Sequence, residues 1–427
     1  MNNAIYSIRS FLILIFAAIF YAYQYLMRSL PARFDNEICA TLGTSEFFVS
    51  SGQSLYLIIY SIMQIFNAFA FQRFGIKRVL LFALFAISSS TALYAIAWNL
   101  YIALIARIIT AIFSSIMLLG GLRICDLWFP SKFSGTIICS IVFAGMIGGD
   151  ISTFLPYLGF KWQTLFLLAA LIGVIFVILG AFIFSEDGIY SAKASDDLPP
   201  LTYAQIAAML LFCLIFFISV QSKLHFGIKT LLILSFGYFI SKYFRAEILN
   251  SEFITPSFLS LIIYSTTCYL PLGAFADVLL TKYLVTLGIE DIYPADSSIY
   301  RGMMIGVLTW GPIADYLGFK LAIIISGFLS LISISIIYFA PAGYITIVAL
   351  IFLGFATAGS PLPIAYSALK VKNKVLARAI TNCMQMLGNA IFLAFLPFFF
   401  DHTNYNPVWH MIFILLSTSL AALICWA

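Results

Sequence analysis

The stretch AFAFQRFGIKRVLL, residues 68–81, has a distant counterpart in WGPIADYLGFKLAI, residues 310–323. In both, an apolar run stops at a short loop built around a glycine and a basic residue, and a second apolar run follows. Aligning Gly75 with Gly318 sets Gln72 against Asp315 and Lys77 against Lys320, an offset of 243 residues. Further on, Lys132 and Lys374 each open an apolar stretch at an offset of 242, and those stretches close at Pro156 and Pro397, an offset of 241. Landmarks in one order at a near-constant offset predict a chain built from two related halves.

Of the 427 residues, 63% are hydrophobic and 9% charged, against roughly 25% charged in a soluble domain. The apolar stretches reach about 20 residues, enough to cross a ~30 Å hydrocarbon core. The short alternating segments of a transmembrane β-barrel are not seen. The fold class is therefore an all-α polytopic membrane protein. Hydropathy predicts about fourteen spans: 10–32, 47–71, 78–97, 100–123, 134–156, 163–184, 203–221, 228–245, 256–279, 298–315, 320–339, 343–366, 378–400 and 408–427. Six belong to an N-terminal half (1–184) and six to a C-terminal half (249–427). Between them lie a polar, Pro-terminated linker, SEDGIYSAKASDDLPP (185–200), and two inserted spans (201–248). An even insertion preserves the orientation of the second half; an interfacial helix is the competing reading for one of the two.

Residues 1–31, with Arg9 ahead of a long apolar run and no small-residue cleavage site, are read as the first span and not as a removed leader. The formal net charge of +5 is spread through short loops and gives no sign of nucleic-acid binding. The seven cysteines (39, 125, 139, 213, 268, 383, 425) form no CxxC or Cys/His cluster and read as packing residues. His225, His402 and His410 lack ligand spacing, so neither metal nor cofactor is expected. No Walker pattern argues for ATP-driven work. Lys and Arg favour the loops that face the cytoplasm when the N-terminus is inside: Arg73, Lys77 and Arg78, then Arg123 and Lys132, then Lys370, Lys372 and Lys374. The opposite loops hold Arg33, Lys161, Lys223, Lys229 and Lys282 more sparsely. The expectation is a monomer in a cytoplasmic membrane with both termini inside.

The two repeated loops resemble the signature G-x-x-x-D-R-x-G-x-R-K of the major facilitator superfamily, which joins spans two and three and recurs between spans eight and nine. The first copy keeps Arg73, Gly75, Lys77 and Arg78, with Gln72 in the acidic place and Ala68 for the first glycine. The second keeps Gly311, Asp315, Gly318 and Lys320, with Tyr316 for arginine. Arg107 resembles the family's membrane arginine of span four. DLWFPSKFSG (126–135) is similar to the loop before span five in organic-anion and organophosphate carriers. LGFKWQTLF (158–166) resembles the start of span six, with Gln163 replacing arginine. YQYLMRSLP and YLPLGAFADVLL resemble spans one and seven of a subgroup that includes bacterial permeases and lysosomal dipeptide carriers. The resemblance implies a two-half transporter fold, with spans one, four and five around a central cavity and the loop motif as a cytoplasmic latch.

Ionisable residues within spans are functional candidates. By helical rise Arg28 lies ~6 Å, Asp150 ~9 Å and Arg107 ~12 Å from the outer ends of their spans. Two arginines against one aspartate leave surplus positive charge, suited to a carboxylate or phosphate held by guanidinium. Tyr21, Gln24 and Tyr25 share Arg28's helix face. For Arg28 the competing reading is snorkelling to the interface. Asp150 reads either as a proton-coupling carboxylate or as an ion-pair partner of Arg107 or Arg28. Asp277, with Lys282 and Arg301 near it in the sequence, reads as part of an outer salt bridge or as a coupling group. Asn382, Gln385 and Asn389 form a polar stripe that either lines the cavity or bonds neighbouring helices. GFATAGSPLPIAYS (354–367) carries two prolines and predicts a kink.

These residues point to a secondary transporter working by alternating access, for a small organic acid, sugar phosphate or short peptide, with proton symport expected by family analogy. Two other readings stay open: a non-transporting solute sensor on the same fold, and a drug exporter, against which GMIGGD lacks the exporters' proline.

Overall fold

The computed structural model describes residues 8–44, 46–184, 251–277, 279–289, 295, 297–339, 343–396 and 405–426. The N-terminal half holds α1 (Ile8–Arg33), α2 (Asp35–Leu42), α3 (Glu46–Phe74), α4 (Ile76–Ala95), α5 (Leu100–Trp128), α6 (Ser134–Phe154) and α7 (Trp162–Ile183). The C-terminal half holds α8 (Pro256–Cys268) with a π-turn at Pro271–Ala276, α9 (Leu280–Thr286), α10 (Ser298–Leu317), α11 (Phe319–Phe339), α12 (Gly343–Thr357), α13 (Leu362–Lys370), α14 (Lys374–Phe395) and α15 (Asn406–Trp426). The expected linker at 185–200, the two inserted spans at 201–248, and His225, His402 and Pro397 lie outside the described residues.

Among the described residues nine segments are long and apolar enough to cross a membrane. Helices α10 and α14, of 20 and 22 residues, have the length without matching that apolarity, and α3 contributes a shorter apolar stretch, Leu55–Phe71. These three lie at the seams between the halves. α6 packs along α10 and α3 packs along α14, while the other strong contacts stay inside one half: α1 with α6 and α5, α4 with α5 and α7, α10 with α12, α8 with α14 and α15. The repeat exchanges α3 with α10 and α6 with α14, so it maps one seam onto the other.

Local chemistry explains several boundaries. Asn99 and Asn373 cap α5 and α14, each accepting from a backbone N–H three residues on at 3.0 Å. The Asn373 cap starts α14 four residues before the predicted 378. Thr255 caps α8, with Pro256 in the first turn. The predicted kink at 354–367 is a break between Thr357 and Leu362.

The repeat is most visible in the backbone of its two glycines. Gly75 has φ 79°, ψ 155° and Gly318 has φ 94°, ψ 146°, a region essentially reserved for glycine. Both let one helix end and the next begin across a single residue. A Cβ at Gly318 would meet nothing within 4 Å, so the constraint there is conformational and not steric. Gly318→Ala should therefore destabilise the protein by about 1–3 kcal/mol, measured as a lower Tm of the purified protein; an unchanged Tm would contradict this reading of the loop.

Candidate functional site

At the end of the bundle away from the two loop motifs, Arg28 of α1 faces Asp277 just beyond the π-turn of the other half. Arg28 Nη2 donates to Asp277 Oδ2 at 2.6 Å, with the two side chains 2% and 1% exposed. Arg28 is thus not snorkelling. Tyr300 OH donates to the other carboxylate oxygen at 2.5 Å. The guanidinium lies 4.9 Å from the Tyr25 ring centre and 5.9 Å from that of Tyr269, so aromatic faces stand on the sides the carboxylate leaves open. Arg33 adds bonds to Thr281 Oγ1 at 3.1 Å and to Tyr300 OH at 3.5 Å.

The expected pairings are rearranged. Asp150 does not pair with Arg28 or Arg107; its carboxylate lies 3.6 Å from Arg301 Nε, and both side chains are partly exposed. The cause is the α6–α10 seam. A Cβ at Gly149 would run into the Tyr300 ring, so α6 approaches closely and sets Asp150 beside Arg301. Asp277 pairs with Arg28, and not with Arg301.

Arg107 is committed to the protein itself. Pro31 within α1 has no N–H to offer the Met27 carbonyl. Arg107 Nη1 donates to that carbonyl at 3.1 Å, Nη2 reaches the Arg28 carbonyl at 3.3 Å, and Gln53 Oε1 accepts from Nη2 at 2.6 Å. Its guanidinium also lies 4.6 Å from the Tyr56 ring centre. The charge predicted as a ligand contact acts as a strut between α5, α3 and the proline-broken end of α1. It still leaves the buried charges at this end, Arg28, Arg107 and Asp277, with one net positive.

Midway along the bundle, Tyr21, Gln24 and Tyr25 of α1, Tyr56 and Tyr60 of α3, and Tyr269 are buried. Tyr25 OH and Tyr269 OH are 3.0 Å apart. Their separation of 244 residues is close to the repeat offset, so equivalent tyrosines meet where the halves meet. Gln24 Nε2 donates to Tyr56 OH at 3.0 Å, and the Tyr56 and Tyr60 rings stack. On α14, Asn382, Gln385 and Asn389 are all buried but differ in use. Gln385 Nε2 donates to the Ser360 carbonyl at 2.9 Å, at the break between α12 and α13. Asn389 Nδ2 donates to the Gln385 carbonyl at 2.7 Å.

The loop-motif end is also closed. Asp315 accepts from the N–H groups of Gly135 and Thr136 at 2.8 Å and from Thr136 Oγ1 at 2.7 Å, a carboxylate on the positive end of α6. Gly135 and Gly311 leave no room for a Cβ between the two backbones. Arg378 of α14 grips Asp126 of α5 in a bidentate pair at 2.5 and 3.0 Å. In the first loop, Arg73 is exposed over the Phe74 ring, Arg78 is exposed, and Lys77 and Lys320 are half-buried; the Gln72 side chain is outside the described residues. Asp126 lies in the quoted loop DLWFPSKFSG, yet nothing in its local sequence names Arg378 as its partner. Tyr269 was findable from Tyr25 by the repeat offset.

A family model described as Major Facilitator Superfamily matches residues 5–289. No curated protein matches the chain.

The strut predicts a coupling. Arg107→Leu strands the Met27 carbonyl and Gln53 Oε1, and should cost about 1–3 kcal/mol per stranded group. In a Pro31→Ala background the Met27 carbonyl regains a helical N–H, so the same substitution should cost less. Equal losses of Tm in both backgrounds would rule out the strut.

Proposed function

The chain belongs to the Major Facilitator Superfamily, a family of membrane transporters, and from that premise we propose that it carries a small anionic or zwitterionic organic solute by alternating access, in symport with protons. The observation behind this reading is the buried Arg28–Asp277 pair, which joins the halves at one end. Arg378–Asp126 and Asp315 with the α6 N-terminus join them at the other. Rocking of the halves requires one set to part while the other holds.

Arg28 is the cation best placed to receive a solute's carboxylate or phosphate, because Arg107 is engaged with backbone carbonyls. An anion on Arg28 displaces Asp277, and a buried carboxylate left without its partner is costly. A proton on Asp277 removes that cost. Anion and proton then enter together, and a zwitterion satisfies the aspartate with its own positive end. Asp150 with Arg301, at the more exposed rim, serves as an outer ion pair in this scheme. The loop-motif end, with Arg73, Lys77, Arg78, Lys320, Lys370 and Lys372, faces the cytoplasm.

In proteoliposomes, an inward acid gradient should drive accumulation of at least one of gluconate, glucose 6-phosphate and alanyl-alanine. Asp277→Asn should retain exchange of that solute and lose the gradient-driven accumulation. Arg28→Gln should lose both. Accumulation indifferent to the pH gradient in the wild-type protein would overturn proton coupling, and full transport by Arg28→Gln would overturn the anion site.

A further inference from the structure

Most buried amides on the seam helices have protein partners. Gln53 accepts from Arg107, Asn67 donates to Ser115 at 2.6 Å, and the Gln385 and Asn389 nitrogens both donate to carbonyls. Gln64 of α3 and Asn382 of α14 stand in contrast. Each is 0% exposed, with neither amide atom in hydrogen-bonding geometry with any described group; of the two, Asn382 has a polar neighbour across the seam. It lies near the middle of α14, at the seam with α3, beside the Tyr60 hydroxyl. Across the seam, Gln24 is likewise buried; its nitrogen donates to Tyr56, whose ring stacks on Tyr60, and its Oε1 has no partner among the described residues. A buried amide left unsatisfied costs more than a satisfied one contributes, and an apolar group of the same shape would avoid that cost.

The geometry points to a second subsite, formed by Asn382 and Tyr60 with the Gln24 carbonyl oxygen, that binds an uncharged group able to donate and accept hydrogen bonds together: a hydroxyl or an amide of the solute. Gln24 lies one helical turn before Arg28, about 6 Å along the axis. Resting on the reading that Arg28 holds an acidic end, the substrate class is an organic acid with a hydroxyl or amide roughly four bonds from its anionic group. Asn382 belongs to one half, and Tyr60 and Gln24 to the other. A solute bound here bridges the seam when it is closed and loses half its contacts when the seam parts.

Two measurements on the full-length protein test this. First, Asn382→Leu should raise the Tm of the ligand-free protein by a few degrees, because it removes an unsatisfied amide, whereas Gln385→Leu should lower it. Second, in thermal-shift titrations gluconate or alanyl-alanine should stabilise the wild-type protein well beyond hexanoate, an acid of similar length without the polar group. A larger shift for gluconate identifies hydroxyl recognition, and a larger shift for alanyl-alanine identifies amide recognition. Asn382→Leu should erase the advantage over hexanoate. The subsite is overturned if Asn382→Leu lowers Tm as Gln385→Leu does, or if hexanoate stabilises equally. If no acid shifts the wild-type protein, the anionic reading of Arg28 fails, while the subsite still stands or falls on the order of the two ligand-free Tm values.

Discussion

A guanidinium and a carboxylate facing each other at 2.6 Å with almost no exposure set the terms for the far end of this bundle. Desolvating each ion costs several kcal/mol, and removing one partner strands the other. The surroundings are arranged accordingly. Tyr300 supplies Asp277 with a second bond, Tyr25 and Tyr269 offer Arg28 their ring faces, and Arg107 holds the backbone that carries Arg28. Because the two ions come from different halves, the cost of separating them falls on the contact between the halves. In the proposed cycle a proton or a charged solute lowers it.

The halves and the seams are built differently. Within a half, helices meet backbone to backbone: a Cβ at Gly148 would strike α1 at Ala22, and Cβ atoms at Gly302 and Gly354 would strike the α10–α12 contact from either side. Such contacts are apolar, dense and slow to reorganise. The seams have such a backbone contact between Gly135 and Gly311, and beside it carry ion pairs, phenols, amides and one capped helix end. This division of chemistry suits rigid halves that move against one another. It also explains why α10 and α14, long helices that fall short in apolarity, are seam helices.

Much of the fold was legible because membrane helices announce themselves by length and composition. Each of the twelve spans predicted outside 201–248 falls on helix among the described residues, the one at 343–366 broken between Thr357 and Leu362, and Gly75 and Gly318 share the backbone conformation that their alignment requires. The count of fourteen depends on residues outside those described. The individual site residues were also legible as types, since an arginine or aspartate in an apolar run is conspicuous. Their partners were not. Arg28 and Asp277 are 249 residues apart, and depth along a helix says nothing about rotation around it. Rotation is what turned Asp150 toward Arg301 and Arg107 toward the carbonyl freed by Pro31. The proline and the arginine were both in view; their connection needed the packing of α5 on α1.

The most direct test of the account is whether the Arg28–Asp277 pair holds the far end shut. Spin labels on Lys161→Cys and Thr286→Cys, exposed positions on opposite halves at that end, report its width by pulsed electron–electron double resonance in a background with the native cysteines replaced. The account predicts a single short distance in the parent protein, a longer population in Asp277→Asn, and recovery of the short distance when the charges are exchanged as Arg28→Asp with Asp277→Arg. An unchanged distance distribution in Asp277→Asn would contradict it.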